Sequence, residues 1–280
     1  MGGSLLLALK ARNFRGCVAA CARSETDRRW ALEHGAESAC ANPGELPRDA
    51  DLGVLAVPAG AFDACVPPLV RALNSATLIT DVASAKRAAI ARLARLLGAR
   101  PYLSSHPMAG SEKSGIAGAR ANLYEGRKVI LTPHSAEARR HVPALTAFWS
   151  FLGAKVLVMD PEEHDRAVAW VSHMPHLAIA ALVRAAAGEG AKKVDLAGSP
   201  LRAAGTGMRD ISRLASGNPE MWREIVLENL DEIRAALLGY GAEIENLAGV
   251  LERAAHDGGR ELADYLMRAR GIREEHHLAE

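Results

Sequence analysis

Residues 76–98 read ATLITDVASAKRAAIARLARLLG, a short β-rich run that leads directly into a helical one. Two similar pairs precede it: GCVAACA (16–22) is followed by ETDRRWALEHG, and DLGVLAVP (51–58) is followed by another helical run. Strands are also predicted over 101–105, 127–133 and 154–160. This alternation is typical of a parallel sheet with helices on both faces, so the sequence predicts a doubly wound α/β fold.

The pattern changes at Asp160, where a long helix is predicted to begin. Asp160 is a suitable N-cap, Pro161 suits the first helical position, and a glutamate stands where a capping box requires one. From there to about residue 270 the chain is nearly all helical in pattern, with breaks near 198–200 and 217–219. We therefore predict an α/β domain over residues 1–160 and an all-α domain over residues 161–280.

The composition is that of a globular chain large enough for two domains, with 280 residues of which 49% are apolar. The 34 Lys and Arg residues nearly balance the 33 Asp and Glu residues, so we expect neither nucleic acid nor a membrane as a partner. The cysteines lack paired CxxC spacing, which argues against a zinc site or a disulfide framework and favours the reducing cytoplasm. They are Cys17, Cys21, Cys40 and Cys65.

Polar residues that follow two predicted strands are the first candidates for chemistry, because ligands of open parallel sheets bind beyond the carboxyl ends of the strands. Ser84 follows ATLITDVA with Lys86 close by, and His106 follows PYLSS. Each has an ordinary structural interpretation as well. A serine after a strand is often a helix N-cap, and a histidine beside a proline is often structural.

The helical half carries two further candidate groups. In VSHMPH, His173 and His176 are one helical turn apart around Pro175, which is compatible with a metal pair but fits a kinked helix with two partly buried histidines better. Further on, Arg209 and Arg213 stand close together between glycines. Such a pair suits a bidentate hold on a carboxylate, and it equally suits surface ion pairs at a helix end.

Three motifs together resemble one family. HPMAGSEKSG (106–115), VSHMPH (171–176) and GTGMRDISRLASGNPEMW (205–222), in this order and at these separations, are similar to prephenate dehydrogenases, including the arogenate and cyclohexadienyl dehydrogenases. The resemblance implies a Rossmann-type domain followed by a helical dimerisation domain, and a cytoplasmic homodimer that acts in tyrosine biosynthesis. The implied reaction is oxidative decarboxylation of prephenate to 4-hydroxyphenylpyruvate, with hydride transfer to NAD(P).

The resemblance also implies roles for individual residues. His106 matches the histidine that accepts the proton of the substrate's ring hydroxyl, and Ser84 matches the serine that shares this hydroxyl. Arg213 matches the arginine that holds a prephenate carboxylate. The remaining substrate-binding positions are His176, Glu112 and Trp222. No metal site is expected.

The resemblance to the family's cofactor-binding turn begins at the first helix. Gly2 matches the third glycine of a GxGxxG turn, with Gly3 and Ser4 after it, while the first strand and the first two glycines are absent. Their absence is expected to cripple dinucleotide binding and to remove the middle strand of the sheet. Met1 is therefore interpreted as an internal methionine of a longer protein.

The residues after the next two strands complete the expected cofactor site. Arg23 and Ser24 stand where an NAD-specific site usually has an acidic residue, and they suit a 2′-phosphate, so NADP is favoured over NAD. Arg23 could equally be a solvated loop charge. Val57 and Pro58 also belong to the expected cofactor-binding set.

Two alternatives stay open at this point. The substrate could be arogenate, which differs from prephenate by an amine in place of a keto group. The chain could also be a truncated, non-catalytic dimer that cannot bind cofactor. A β-hydroxyacid dehydrogenase fits less well, because Lys192 and Lys193 do not stand in a matching motif.

Overall fold

A computed structural model describes residues 1–110, 115–188 and 199–276. The strands are β1 Ala19–Cys21, β2 Ser38–Cys40, β3 Leu52–Leu55, β4 Leu78–Asp81, β5 Ser104–Pro107, β6 Lys128–Thr132 and β7 Lys155–Val158. The helices are α1 Gly2–Ala11, α2 Glu25–Glu33, α3 Phe62–Ala72, α4 Arg87–Leu97, α5 Ala136–Arg140, α6 Val142–Phe151, α7 Pro161–Val168, α8 Met174–Ala186, α9 Thr206–Ser212, α10 Pro219–Glu228, α11 Leu230–Asp257 and α12 Arg260–Glu275.

The strands pair mostly in parallel, as the alternating pattern predicts. β1 pairs with β2, β3 with β4, and β6 with β7 in parallel, and an isolated parallel bridge between Ile79 and Tyr102 joins β4 to the approach to β5. The prediction of a wholly parallel sheet was wrong at one pairing, where β6 runs antiparallel to β5. The described part of the connection from β5 to β6 contains only a 3-10 turn, Ile116–Gly118, and antiparallel neighbours do not need a crossover helix.

Strand β2 was not predicted. It comprises three residues, Ser38, Ala39 and Cys40, and none of them is β-branched or aromatic. Local propensity does not favour a strand here. The strand is stabilised instead by its parallel pairing with β1 and by its packing against α2.

Helix α1 packs on two groups of strands. Leu6 joins a small apolar cluster with Ala31 and Ala36, to which Val18 and Ala20 contribute from the β1 side. Leu5 and Leu9 belong instead to a core that also contacts β3 and is centred on Trp149 and Tyr124. Apolar residues on both sides of α1 explain why its sequence shows little helical stagger. Among the described strands, no pairing joins β1–β2 to β3–β4.

The helix predicted after Asp160 begins there in the structure. The Asp160 carboxylate accepts the backbone N–H of Glu162, and Pro161 is the first residue of α7. A π-helical turn over Ala169–His173 links α7 to α8 immediately before Pro175. Because proline has no N–H to donate, a widened turn ahead of it fits the predicted kink.

The described chain forms two compact units, Met1–Ile233 and Arg234–Glu280. Helices α7 to α10 therefore belong to the same unit as the strands. The predicted domain boundary at residue 160 separates the α/β domain from the all-α domain, and it differs in kind from this division into compact units. It stays a prediction. No helix in the described ranges is long and apolar enough to cross a membrane.

Candidate active site

A buried lysine joins the carboxyl end of β4 to the first two residues of β5. Lys86, which is fully buried, donates from Nζ to Asp81 Oδ1, Ser104 Oγ and the carbonyl oxygen of Ser105, each at 2.9 Å. An ammonium group has three protons to donate, so each one has a partner. This arrangement fixes the residue immediately before His106.

The partner carboxylate is equally well satisfied. Asp81 Oδ1 also accepts the backbone N–H of Ala83 at 2.9 Å, and Oδ2 accepts the hydroxyls of Tyr102 and Ser104 at 2.8 and 2.5 Å. Complete hydrogen bonding is what allows an ion pair to be buried without a large net cost. The network fixes both ends of the short loop from Asp81 to Lys86, and this loop carries the half-buried Ser84.

His106 lies at the end of a chain of buried side chains. Its Nδ1 is 2.8 Å from Nε2 of His164, whose Nδ1 is 2.8 Å from Oδ1 of Asp165. Burial lowers the pKa of His106 well below its usual 6.5, and the positive charge of Lys86 lowers it further. His106 is therefore a neutral imidazole at neutral pH, which is the state required of a general base.

Two histidines and a tryptophan come together beside α8. The ring of His176 lies 4.1 Å from that of Trp222, and the ring of His173 lies 6.3 Å away. Because a carbonyl can only accept, His176 Nδ1 donates its proton to the oxygen of Ser172 at 2.9 Å. Burial lowers the pKa of His173 to about 4. The described residues offer no third ligand that would complete a metal site here.

Arg213 is exposed on a turn that contacts α8. It begins the 3-10 turn Arg213–Ser216, which packs against α8, the helix that carries His176. Its side chain is 80% exposed, with Nε 4.0 Å from Asp210 Oδ1, so it is available to an anionic ligand. In the described part of the chain, no hydrogen bond joins Arg213 to His106 or Ser84. Glu112, Lys192 and Lys193 lie outside the described residues.

The first residues of α1 pack tightly against the end of β3. A Cβ added at Gly2 would stand 3.3 Å from the Cβ of Ala56, and one at Gly3 would stand 3.1 Å from that of Ala119. A side chain at either position would therefore press on its neighbour. Ser4 is buried, and its hydroxyl accepts the backbone N–H of Arg120 at 3.0 Å, so this side chain is used within the protein.

The other expected cofactor residues follow β1 and β3. Ser24 caps α2, since its Oγ accepts the backbone N–H of Asp27 at 3.3 Å, while Arg23 is exposed. Val57 and Pro58 follow β3 at partly or fully exposed positions. These residues stand beyond the carboxyl ends of parallel strands, where ligands of such sheets bind.

His164 and Asp165 were missed in the sequence, although a signal was present. Pro161, His164, Asp165 and Val168 are the buried residues of α7, at positions i, i+3, i+4 and i+7. Histidine and aspartate on the buried stripe of a helix require buried polar partners. The same reasoning applies to Asp81, a carboxylate at the end of a buried strand.

Glu228, at the end of α10, gives a pH-dependent prediction. Burial raises its carboxyl pKa to about 7, with a smaller contribution from Glu224 and an opposing one from Lys86. The carboxyl therefore has a higher pKa in the folded protein than in the unfolded chain. Because of this difference, the free energy of unfolding falls as the pH rises from about 4.5 through about 7. Glu228→Gln is expected to match the parent at pH 5 and to be about 1 to 2 kcal/mol more stable at pH 8, after allowing for solvent contact.

Urea unfolding at both pH values measures this effect. The exposed Glu163→Gln serves as the control for removal of a carboxylate. A Glu228→Gln variant whose free energy of unfolding tracks that of the parent across this range would contradict the assignment.

Comparison with known proteins identifies what the chain is similar to. Residues 5–158 match the family model described as prephenate dehydrogenase, nucleotide-binding domain, and residues 160–268 match the one described as prephenate dehydrogenase, dimerization domain. The prephenate dehydrogenase of Bacillus subtilis is 36% identical over 63% of this chain and 47% of its own length. The cyclohexadienyl dehydrogenase of Zymomonas mobilis is 30% identical over 79% of this chain and 72% of its own. The match therefore spans about half the length of the Bacillus relative.

Solved structures agree with these matches. The prephenate dehydrogenase of Aquifex aeolicus, solved in complex with hydroxyphenyl propionate and NAD⁺, has a TM-score of 0.84 at 30% identity and covers 98% of this chain and 94% of its own. The arogenate dehydrogenase of Synechocystis has a TM-score of 0.80 at 28% identity, covering 98% and 96%.

Proposed function

Because the chain belongs to the prephenate dehydrogenase family, we propose that it oxidises prephenate to 4-hydroxyphenylpyruvate and carbon dioxide, with hydride transfer to a nicotinamide dinucleotide. The observation that carries the proposal is His106, a neutral and nearly buried imidazole at the end of β5, beside the loop that holds Ser84. Oxidation of a carbinol needs a base on the oxygen while hydride leaves the carbon, and this imidazole can supply it.

The residues give each part of the reaction a physical basis. His106 takes the proton from the hydroxyl on C4 of prephenate, and Ser84 hydrogen-bonds to the same oxygen. Arg213 holds a carboxylate of the dianion, and His176 and Trp222 line the same cleft, to which we also assign Glu112. Loss of carbon dioxide makes the ring aromatic and needs little from the protein, so the main task of the chain is to orient C4.

The N-terminal turn of α1 suits the pyrophosphate of a dinucleotide. The first N–H groups of a helix lack partners within the helix and favour an anion. Gly2 packs within van der Waals reach of Ala56, at the end of β3, as a cofactor-binding turn requires. When bound, the nicotinamide supplies the hydride acceptor. Gly3, Ser4, Val57 and Pro58 complete the proposed surface, with Ser4 contributing through its backbone.

We propose NADP as the preferred cofactor, with NAD as the alternative. Exposed Arg23 follows β1 and can reach a 2′-phosphate, and neither of its neighbours, Ala22 and the helix cap Ser24, is acidic. The Aquifex aeolicus structure contains NAD⁺, which supports NAD as the alternative.

We also propose that the protein is a cytoplasmic homodimer with its domain boundary at residue 160. The match of residues 160–268 to a dimerization domain supports the partner and the boundary. The four free cysteines suit a reducing compartment.

Turnover of prephenate and arogenate, each with NADP and with NAD, tests the proposed function. We expect prephenate with NADP to give the highest kcat/KM, read from reduced nicotinamide and from 4-hydroxyphenylpyruvate. The assay uses the 280-residue chain and also a form that includes any in-frame codons upstream. The Synechocystis neighbour favours arogenate as the second candidate, and faster turnover of arogenate would identify it as the substrate. Absence of turnover in every combination would contradict the proposal.

Arg213→Ala is expected to raise KM for prephenate about 10- to 100-fold with a smaller change in kcat, because a charged hydrogen bond to the substrate carboxylate is lost. Steady-state kinetics at saturating cofactor measures the split. Arg140→Ala is the matched control, since that side chain is 76% exposed and stands at the end of α5. A fall in kcat with unchanged KM would assign Arg213 a different role.

A further inference from the structure

His106, His164 and Asp165 form a buried chain of hydrogen bonds. The proposed reaction gives a role to His106 but none to His164 or Asp165. The side chains of His164 and Asp165 are fully buried, and His106 is 7% exposed. Consecutive ring nitrogens and carboxylate oxygens are 2.8 Å apart, which is hydrogen-bonding distance at both steps. Each link therefore needs one donor and one acceptor.

Asp165 determines the direction of these hydrogen bonds. Its Oδ1 accepts the backbone N–H of Lys86 at 2.7 Å, and its Oδ2 accepts the backbone N–H and Nε of Arg87 at 2.9 and 3.3 Å. Burial by itself would raise the pKa of Asp165, but the hydrogen bonds from His164 and from these backbone groups prevail and lower it. An ionised carboxylate can only accept, so the proton between Asp165 and His164 is on Nδ1 of His164.

The same reasoning continues along the chain. Burial lowers the pKa of His164, so its ring is neutral, and a neutral ring with a proton on Nδ1 has a lone pair on Nε2. That lone pair faces Nδ1 of His106, which must then carry the proton. In a neutral His106 the remaining nitrogen, Nε2, is left with the free lone pair.

We propose that His164 and Asp165 are positioning residues that hold His106 in the tautomer whose Nε2 is free to accept a proton. The tautomer follows from contacts within the protein, while its catalytic consequence rests on the proposed function. A carboxylate that orients a catalytic imidazole through its far nitrogen is a recurring device in acid–base catalysis, and here a second imidazole is interposed.

The arrangement also affects His106 after it has gained the proton. The resulting imidazolium donates from Nδ1 to His164, which is polarised by the negative charge of Asp165. Burial disfavours the His106 cation, as does positive charge on any of three neighbours, Lys86 at the start of α4, His164 itself and His173 in the π-helical turn. The hydrogen bond that a neutral His164 accepts from Nδ1, with the Asp165 carboxylate behind it, opposes these effects on the imidazolium.

Nitrogen-15 spectra of the histidine rings in the free protein test the tautomer directly, without substrate. We expect His106 and His164 to show a protonated Nδ1 and an unprotonated, pyridine-like Nε2 at neutral pH. In His164→Phe, His106 loses its acceptor and is expected to show both tautomers. A parent protein whose His106 carries its proton on Nε2, or a His164→Phe spectrum with the His106 tautomer unchanged, would overturn the proposal.

Kinetics of the same variants tests the consequence. His164→Phe is expected to lower kcat about 10- to 100-fold with little change in KM, and to shift the acid limb of the kcat/KM profile. His164→Gln should recover part of the loss, because an amide oxygen can still accept from His106. His141→Gln, between α5 and α6, is the control with parental kinetics.

Equal losses in the Phe and Gln variants without a change in the pH profile would indicate a structural role only. If the parent turned over no substrate, the proposed function would fail and the spectra would still decide this inference.

Discussion

Replacing His106 with asparagine is expected to lower kcat for prephenate about 10³-fold while KM changes less than about twofold. Asparagine can still hydrogen-bond to the C4 hydroxyl in the ground state, but it cannot take its proton when hydride leaves. The loss therefore falls on the transition state. Steady-state kinetics on prephenate at saturating cofactor measures both constants.

His141→Asn controls for the loss of a partly buried imidazole elsewhere in the fold, and is expected to leave both constants at the parental values. Circular dichroism and urea unfolding of both variants establish that the site is folded. A His106→Asn variant with a large rise in KM and nearly intact kcat would mean that His106 binds substrate and that another group takes the proton.

Replacing Lys86 with methionine is expected to lower the free energy of unfolding by about 3 to 5 kcal/mol. The substitution leaves the buried Asp81 carboxylate without its counter-charge, and it removes the donor to Ser104 and to the Ser105 carbonyl. Methionine fills similar space, so lost packing contributes little. Urea unfolding at neutral pH measures the change.

A double-mutant cycle separates the charge effect from packing. Asp81→Asn with Lys86→Met removes both charges, and we expect it to destabilise less than the sum of the single variants. Arg29→Met is the matched surface control, because Arg29 pairs with Glu25 at 2.9 Å while 70% exposed, and its loss should cost below about 0.5 kcal/mol. A Lys86→Met variant as stable as this control would contradict the structural importance of the buried pair.

Much of the fold could be predicted from local pattern. Apolar runs such as LITD and KVILT became β4 and β6, and Asp160 with Pro161 marked the start of α7, because each signal is local to the chain. The antiparallel pairing of β5 could not be predicted in this way. Whether two neighbouring strands are parallel or antiparallel depends on the segment that connects them. Residues 108–127, which connect β5 to β6, have no helical pattern that would indicate a crossover.

Site residues that stand in a recognisable sequence motif could be proposed from the sequence. Residues whose role depends on contacts with distant parts of the chain could not. The resemblance to prephenate dehydrogenases is confirmed by the matches over residues 5–268, while the individual roles of His106, Ser84 and Arg213 stay proposals. The buried acceptor role of Ser4 and the chain from His106 to Asp165 depend on contacts between residues more than 50 positions apart. Such contacts leave only an indirect trace in sequence, here a histidine and an aspartate on the buried stripe of α7.

The fate of the hydrogen on C4 of prephenate tests the central claim most directly. Prephenate that carries deuterium at C4 is incubated with NADP, and separately with NAD, and the reduced nicotinamide and aromatic product are examined by mass spectrometry. We predict one deuterium in each reduced nicotinamide, with one 4-hydroxyphenylpyruvate and one carbon dioxide formed per turnover. Deuterium released into water, or an aromatic product formed without reduced nicotinamide, would contradict hydride transfer from C4 as the reaction of this protein.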